Sequence, residues 1–304
     1  MEHYVTIFDS LFLPQGLALQ ISMERHAGDY MLWILCVDDE VYHILVTLNL
    51  INVRLLQLST LETDELKRIK AIRTKGEYCW TLTPFAPRFV FESDDSVARV
   101  TYIDADMWFR KNPAPIFKEF EASCSQVLIT DHAYAPEYDH SATSGQYCVQ
   151  FITFTRTGGE VIRKWWEERC VEWCYARVED GKFGDQKYLD DWPERFAEQV
   201  HVLKNKELLL APWNATRFPY GNACLWHFHN LRLITNKKST RVLFGIFPLP
   251  KLTQVYIYQP YLQDIRKAIE LLRSFGFKPK SQSNISVFRQ LKHWLYGRCQ
   301  RLIG

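Results

Sequence analysis

Two aspartates separated by one residue, Asp104 and Asp106, close the apolar run ARVTYI. In an extended chain, residues two apart project to the same side. Both carboxylates are therefore expected to leave the carboxyl end of a buried strand together. Carboxylates held side by side repel, and a divalent cation relieves that repulsion. Manganese or magnesium bound there would hold the phosphates of a nucleotide and stabilise negative charge on a departing diphosphate. A short acidic pair is more often a hydrated turn. The preceding apolar strand and the following Trp108 and Phe109 argue for a site. A second group, in LWHFHNLR, presents His227 and His229 to one side of an extended segment, and neutral imidazole beside carboxylates is an ordinary manganese ligand. A third, in FGDQKYLDDWP, holds Asp185 and Gln186. A carboxylate accepts hydrogen bonds from hydroxyls and stabilises developing positive charge, while an amide both donates and accepts. Asp185 is equally placed to cap a helix start. A fourth, RTKGEYCW, supplies Arg73, Lys75 and Glu77, either a charged helix surface or a source of cations for a diphosphate.

These groups need a scaffold, and the chain spells one out. The strand-length runs YVTIF, MLWILCV, VRLLQL and ARVTYI alternate with helical or loop-like segments, PQGLALQISMERH, DEVYHILVTLNL and TLETDELKRIKAIRTKGEYCW. SQVLIT, YCVQFITF and LRLIT add strands, with a helix expected over GGEVIRKWWEERCVEWCYARV. Strands alternating with helices imply an α/β fold with a mostly parallel central sheet. Ligands bind such sheets at the carboxyl ends of the strands, where the aspartate pair sits. The expected organisation is one α/β domain over residues 1–250 and a helical extension over 251–304.

The 304 residues are 47% hydrophobic, enough for one large core, and carry a net charge of +2, which argues against a nucleic-acid binder. No run approaches the ~18 apolar residues of a membrane span. The opening MEHYVTIFDS has no basic region before an apolar run, so no secretory leader is expected. The eight cysteines form no CxxC pair. Cys170 and Cys174 share a broad helical face with Ile162, Trp165, Trp166 and Trp173, which reads as core packing in a reducing cytoplasm.

Taken together, the blocks FDSLFLPQGLAL, RTKGEYCWTLTPF, VTYIDADMWF, FGDQKYLDDWP and LWHFHNL resemble the GT-A-type glycosyltransferases. The likeness is to the group that includes glycogenin and bacterial lipooligosaccharide galactosyltransferases, and more so to bacterial surface-polysaccharide transferases. It implies a GT-A (Rossmann-like) fold and a metal-dependent transfer from a nucleotide-diphosphate sugar, with a uridine diphosphate sugar the expected donor. The acceptor would be a saccharide or a lipid-linked molecule, and the anomeric configuration would be retained. By resemblance, Asp104, Asp106 and His227 hold the metal, with His229 the alternative. Asp185 and Gln186 lie under the transferred sugar. Phe8 and Asp9 meet the base. Arg73, Lys75, Glu77 and Ala105 contact the donor. Gln150, Trp213 and Asn214 face sugar or acceptor, although Trp213 could equally be core. The family pattern is His-x-x-Gly; here Asn230 replaces the glycine, and Arg232 stands in for a missing lysine.

Two other functions remain in view. A nucleotidyltransferase of sugar-nucleotide synthesis would need a glycine-rich, basic first turn, whereas FDSLFLPQG has one glycine and no lysine. A non-catalytic nucleotide-sugar-binding module would need none of the acidic groups intact. The end of the chain carries a further expectation. From Leu271 onward Arg273, Lys278, Lys280, Arg289, Lys292, Arg298 and Arg301 stand without one acidic residue. Over 283–304, Phe288, Leu291, Leu295 and Leu302 recur near helical spacing with Trp294 beside them. A basic amphipathic helix of that kind suits an anionic membrane surface, placing the protein in the cytoplasm or peripherally at the inner membrane face; packing on the catalytic domain is the alternative.

Overall fold

Strand β1, Glu2–Phe8, is buried along all but its first residue, as expected of a central strand covered on both faces. The computed structural model describes residues 1–236, 239–282 and 299–303. Around β1 are β2 (Tyr30–Cys36), β3 (Val53–Gln57), β4 (Arg99–Ile103), β5 (Met107–Phe109), β6 (Val127–Asp131), β7 (Tyr147–Thr155) and β8 (Val200–Val202). Seven of them form one sheet in the order β3-β2-β1-β4-β7-β6-β8. Its β3–β2, β2–β1, β1–β4 and β6–β8 pairings are parallel, and β7 runs antiparallel to both neighbours. Helices cover both faces, so the fold is the mostly parallel α/β sheet anticipated above.

Two small sheets complete the molecule. β5 pairs antiparallel with β10 (Leu225–His227), which lies parallel to β9 (Leu209–Leu210). β11 (Arg232–Thr235), β12 (Thr240–Leu243) and β13 (Cys299–Ile303) form the other.

Local chemistry breaks the helices differently from the apolar periodicity. The stretch from residue 60 to 80, expected to be helical or loop-like, is a series of helices: Leu58–Leu61, Asp64–Ile72 and Lys75–Leu82. Thr63 and Thr74 each take an extended backbone and cap the next helix with their hydroxyls, which restarts it. The helix Gly159–Glu172 stops where Trp173 becomes extended. Cys170 and Cys174 are both buried with Trp166, but Cys174 lies past the helix end.

At the carboxyl end, the helix Gln259–Ser274 packs its apolar face on the helix Leu13–His26 and on the small sheets. Asp264, buried, ties this contact together. It accepts from Arg25 Nη1 at 3.1 Å and from Trp108 Nε1 at 2.8 Å. The amphipathic helix expected from residue 283 needs correction at its end. Residues 299–303 form strand β13 on β12, with Leu302 buried, because backbone pairing and core contact there outweigh helical spacing. The remainder of that helix, 283–298, lies outside the described residues.

Asp264→Ala removes the shared acceptor and leaves Trp108 Nε1 buried without a partner. The expected loss is about 1–3 kcal/mol, discounted because Arg25 is partly exposed. Urea unfolding followed by tryptophan fluorescence measures it, and an unchanged midpoint would remove Asp264 from the account of the fold.

Candidate active site

Strand β4 ends at Ile103, and the chain turns at once, with Met107 N–H donating to Asp104 C=O at 3.1 Å. The two aspartates therefore converge through a tight turn and not through an extended strand. That turn feeds β5, whose antiparallel partner β10 sets His227 opposite Met107. Phe228 N–H donates to Asp106 C=O at 2.9 Å and fixes the register. The result places His227 Nε2 at 3.1 Å from Asp106 Oδ1 and 3.6 Å from Asp104 Oδ2. One ligand atom from each residue lies within 4.8 Å of the others, an acceptable donor set for manganese or magnesium.

A second layer orients this set. His227 Nδ1 donates to Gln150 Oε1 at 2.9 Å, which directs Nε2 toward the carboxylates, where it carries a proton in the imidazolium and offers a lone pair once that proton leaves. Tyr102 OH donates to Asp104 Oδ1 at 2.9 Å, leaving Oδ2 to face the site. Burial pushes the Asp104 carboxyl up, and the charge of Asp106 adds to that against the pull of His227. Burial also opposes ionisation of Asp106, but the His227 charge and hydrogen bond outweigh it and hold that carboxyl at about 2. His227 is raised in turn: burial works against its cation, and Asp106 overcomes that. His229 goes the other way, lowered to about 3 by burial and by His227. It stands 5.5 Å from His227, ring to ring, outside the three-ligand cluster.

The chain bends again after His227. Asn230 has φ +62°, with Leu231 N–H bonded back to Phe228 C=O at 3.0 Å. This is the left-handed backbone that glycine adopts freely and asparagine tolerates best among the rest. Asn230 thus meets the conformational demand of the glycine it replaces.

The cluster lies in a cleft of about 660 Å³. Phe8, Asp9, Lys75, Ala105, Asp185, Gln186, Trp213, His229 and Arg232 also line it. Asp185 is buried, its Oδ2 has no hydrogen-bond partner, and burial raises its carboxyl to about 7, against a hydrogen bond from Thr83. Gln186 Nε2 donates to Ser144 C=O at 2.6 Å. Arg232 lies 5.5 Å from the Phe12 ring centroid.

Several residues assigned to the donor or acceptor do other work. Arg73 is buried and donates to the Cys170 and Val171 carbonyls at 2.7 and 2.8 Å, which fastens the end of Gly159–Glu172. Glu77 closes the capping box with Thr74 and accepts from Ala176 N–H at 2.8 Å. Lys75 is paired with Asp9 at 2.6 Å and Asp38 at 3.6 Å, so its charge is already balanced. Asp9 also accepts from Leu11 and Phe12 N–H at 2.9 and 3.2 Å, and Phe8 packs its ring on Gly16. Gln150 is buried behind His227, with its Oε1 on His227 Nδ1. Asn214 is buried on Ala211 N–H and His132 C=O, while Trp213 donates to the same carbonyl and still reaches the cleft.

Sequence reasoning missed Thr83, Tyr102, Trp80, His132, Tyr134 and Phe247, all in the cleft wall. Tyr102 had a signal, since it alternates with Asp104 along the strand. His132 and Tyr134 stack at 4.6 Å, and Trp213 meets His132 edge-on at 5.2 Å. Only the tertiary fold brings those rings together.

The chain is 28% identical over 310 residues to the Bacillus subtilis (strain 168) uncharacterized protein YfnD, covering 95% of this chain and 98% of that one. It is 35% identical over 200 residues to the uncharacterized protein YfnF of the same organism, covering 64% and 66% of the two. No protein-family model matches. Among solved structures, the galactosyltransferase LgtC in complex with donor and acceptor sugar analogs superposes with a TM-score of 0.54 at 11% identity, over 95% of this chain and 99% of that one. The apo bifunctional glycosyltransferase WbbM gives 0.53 at 14%, over 92% and 52%. Mouse xyloside xylosyltransferase 1, apo form, gives 0.50 at 16%, over 75% and 98%. The fold is GT-A, as the sequence blocks implied.

Gln150→Leu keeps side-chain bulk but removes the acceptor for His227 Nδ1. Manganese affinity should fall about 10–100-fold, the usual effect of losing an outer-shell partner. Gln150→Glu keeps an acceptor and should retain most of it. Titration of manganese in the presence of a nucleoside diphosphate reads both, and equal affinity in Gln150→Leu would leave the residue without an orienting role.

Proposed function

We propose that the chain is a metal-dependent glycosyltransferase acting on a nucleotide-diphosphate sugar, by resemblance a uridine diphosphate sugar. Its acceptor is a saccharide or a lipid-linked molecule, and its product belongs to polysaccharide or glycolipid synthesis. The observation that carries this reading is one cleft holding both the Asp104–Asp106–His227 cluster and a separate buried carboxyl, Asp185.

A divalent cation held by Asp104, Asp106 and His227 would bind the donor diphosphate and neutralise the charge that develops on it as it leaves. The residues divide the remaining work. Arg232, which lines the cleft and whose charge reaches Asp106, supplies a cation for the phosphates, while Lys75 is already paired. Asp185 and Gln186 meet the transferred sugar, where a carboxylate stabilises an oxocarbenium-like centre and the amide orients a hydroxyl. Trp213, Tyr134 and His132 offer flat rings to the acceptor. By resemblance the anomeric configuration is retained. A lipid-linked acceptor implies work at a membrane surface from the cytoplasmic side; no described helix is long and apolar enough to cross one.

Asp106→Asn removes an anionic ligand with little change in volume. Thermal unfolding with a panel of nucleoside diphosphates, with and without manganese, should show the preferred base stabilising the parent. The variant should lose that metal-dependent stabilisation and all turnover. Full activity in Asp106→Asn, or parent activity indifferent to chelator, contradicts the metal site. Asp185→Asn should differ: nucleoside diphosphate and manganese should still stabilise it, while turnover falls ~100-fold or more. A collapse of diphosphate affinity would move Asp185 from the sugar to the nucleotide.

A further inference from the structure

The described residues expose twelve large apolar side chains, and five of these fall within 220–256: Tyr220 (40%), Ile246 (61%), Leu252 (52%), Val255 (47%) and Tyr256 (50%). Four of them form one patch. The helical turn Lys251–Thr253 runs into a π-helical turn, Gln254–Tyr258, and then into Gln259–Ser274. Ile257, Tyr258, Tyr261 and Leu262 face the core, which leaves Leu252, Val255 and Tyr256 outward. Tyr220 joins them with its ring 4.8 Å from Tyr256, and Thr253 Oγ1 bonds the Pro219 carbonyl to hold that neighbouring loop in place. The Arg110 guanidinium lies 4.2 Å from the Tyr220 centroid.

The charge around this patch has one sign in the sequence. Between Glu207 and Asp264 there is no aspartate or glutamate, but Arg217, Arg232, Lys237, Lys238, Arg241 and Lys251 all occur. The chain runs from the cleft wall into the patch: Phe247 lines the cleft and meets the Tyr138 ring at 5.4 Å, and Lys251 and Leu252 follow it closely in sequence. Contiguous apolar side chains in water mark an interaction surface. A specific protein partner would find a rim patterned with both donors and acceptors. Here two tyrosines, aliphatic side chains and the adjoining cations Arg110 and Lys251 suit the boundary between acyl chains and anionic headgroups.

We propose that Tyr220, Leu252, Val255 and Tyr256, with Arg110 and Lys251 beside them, seat the protein on an anionic lipid surface and turn the acceptor side of the cleft toward it. The proposal rests on the glycosyltransferase reading only in naming the acceptor as lipid-linked. The surface itself is tested without turnover. The full chain is sedimented with phosphatidylcholine vesicles, with and without phosphatidylglycerol, at low and high salt. The parent should bind only the anionic vesicles and lose binding as salt rises. Val255→Asp/Tyr256→Asp should bind about ten-fold or more weakly, because each aspartate replaces apolar area and repels the headgroups. Manganese-dependent donor hydrolysis should be equal in both, since neither residue reaches the cleft. Hydrolysis absent from both, with vesicle binding still dependent on the patch, would sink glycosyl transfer and leave the surface standing. A variant that binds like the parent overturns the proposal and assigns binding elsewhere, for example to 283–298. A parent that never sediments, or that binds neutral vesicles equally, overturns it as well.

Discussion

Two carboxylates and one imidazole, packed within 4.8 Å and largely out of water, impose the constraint that the rest of the site answers to. One imidazolium can balance one carboxylate, and it balances Asp106, held at about 2. Asp104 is left with burial and a like charge beside it, and its carboxyl rises. A divalent cation resolves this imbalance, because it satisfies both carboxylates at once and replaces the proton on His227 Nε2. The long-range β5–β10 pairing exists in this light as a positioning device, bringing a histidine more than a hundred residues away against the aspartate turn.

The charge around the loop after β1 follows a complementary logic. Lys75 pairs with both Asp9 and Asp38, a trio that stays anionic, and Asp38 also caps the helix Asp39–Leu48 through Val41 N–H at 2.8 Å. This cluster offers no spare cation. Under the proposed nucleotide-sugar reading, phosphate charge would then be met by Arg232 and a cation on the Asp104–Asp106–His227 cluster, with hydrogen bonding at the base and Coulomb attraction at the diphosphate.

The sheet was legible because each core strand is a short apolar run, and the Asp104–Asp106–His227 cluster because the aspartate pair follows an apolar strand and a histidine pair stands late in the chain. Geometry within turns was not legible. Asp104–Asp106 and His227–Asn230 both converge through turns that an alternating pattern does not encode. Arg73 and Glu77 carried the charges expected of donor contacts, yet their partners are backbone groups of the helix Gly159–Glu172 and the segment after it. A charge signals that a partner is needed and does not say whether that partner is a ligand or an orphaned helix end. The helical spacing at residues 299–303 failed for a related reason: β12 offered a free edge, and edge pairing satisfies backbone groups that an isolated helical turn would leave open.

The carboxyl-terminal segment enters the site through the same accounting of backbone groups. Gln282 donates to the Leu11 carbonyl at 2.8 Å, and its Oε1 accepts from Gln15 Nε2 and Leu233 N–H, each at 2.8 Å. Lys280 adds a bond to Ser10 Oγ at 2.9 Å. Leu11 and Phe12 are the residues whose amides hold Asp9, and Leu233 follows Arg232. A strap of three residues thus joins the loop after β1 to the strand that carries the cleft cation. Loops joined only by their ends open locally at little cost, whereas a loop cross-linked to a distant strand opens only when both yield. The order of the loop after β1 therefore depends on chain more than two hundred residues beyond it, and substitutions in the strap should loosen that loop before they are felt in the core.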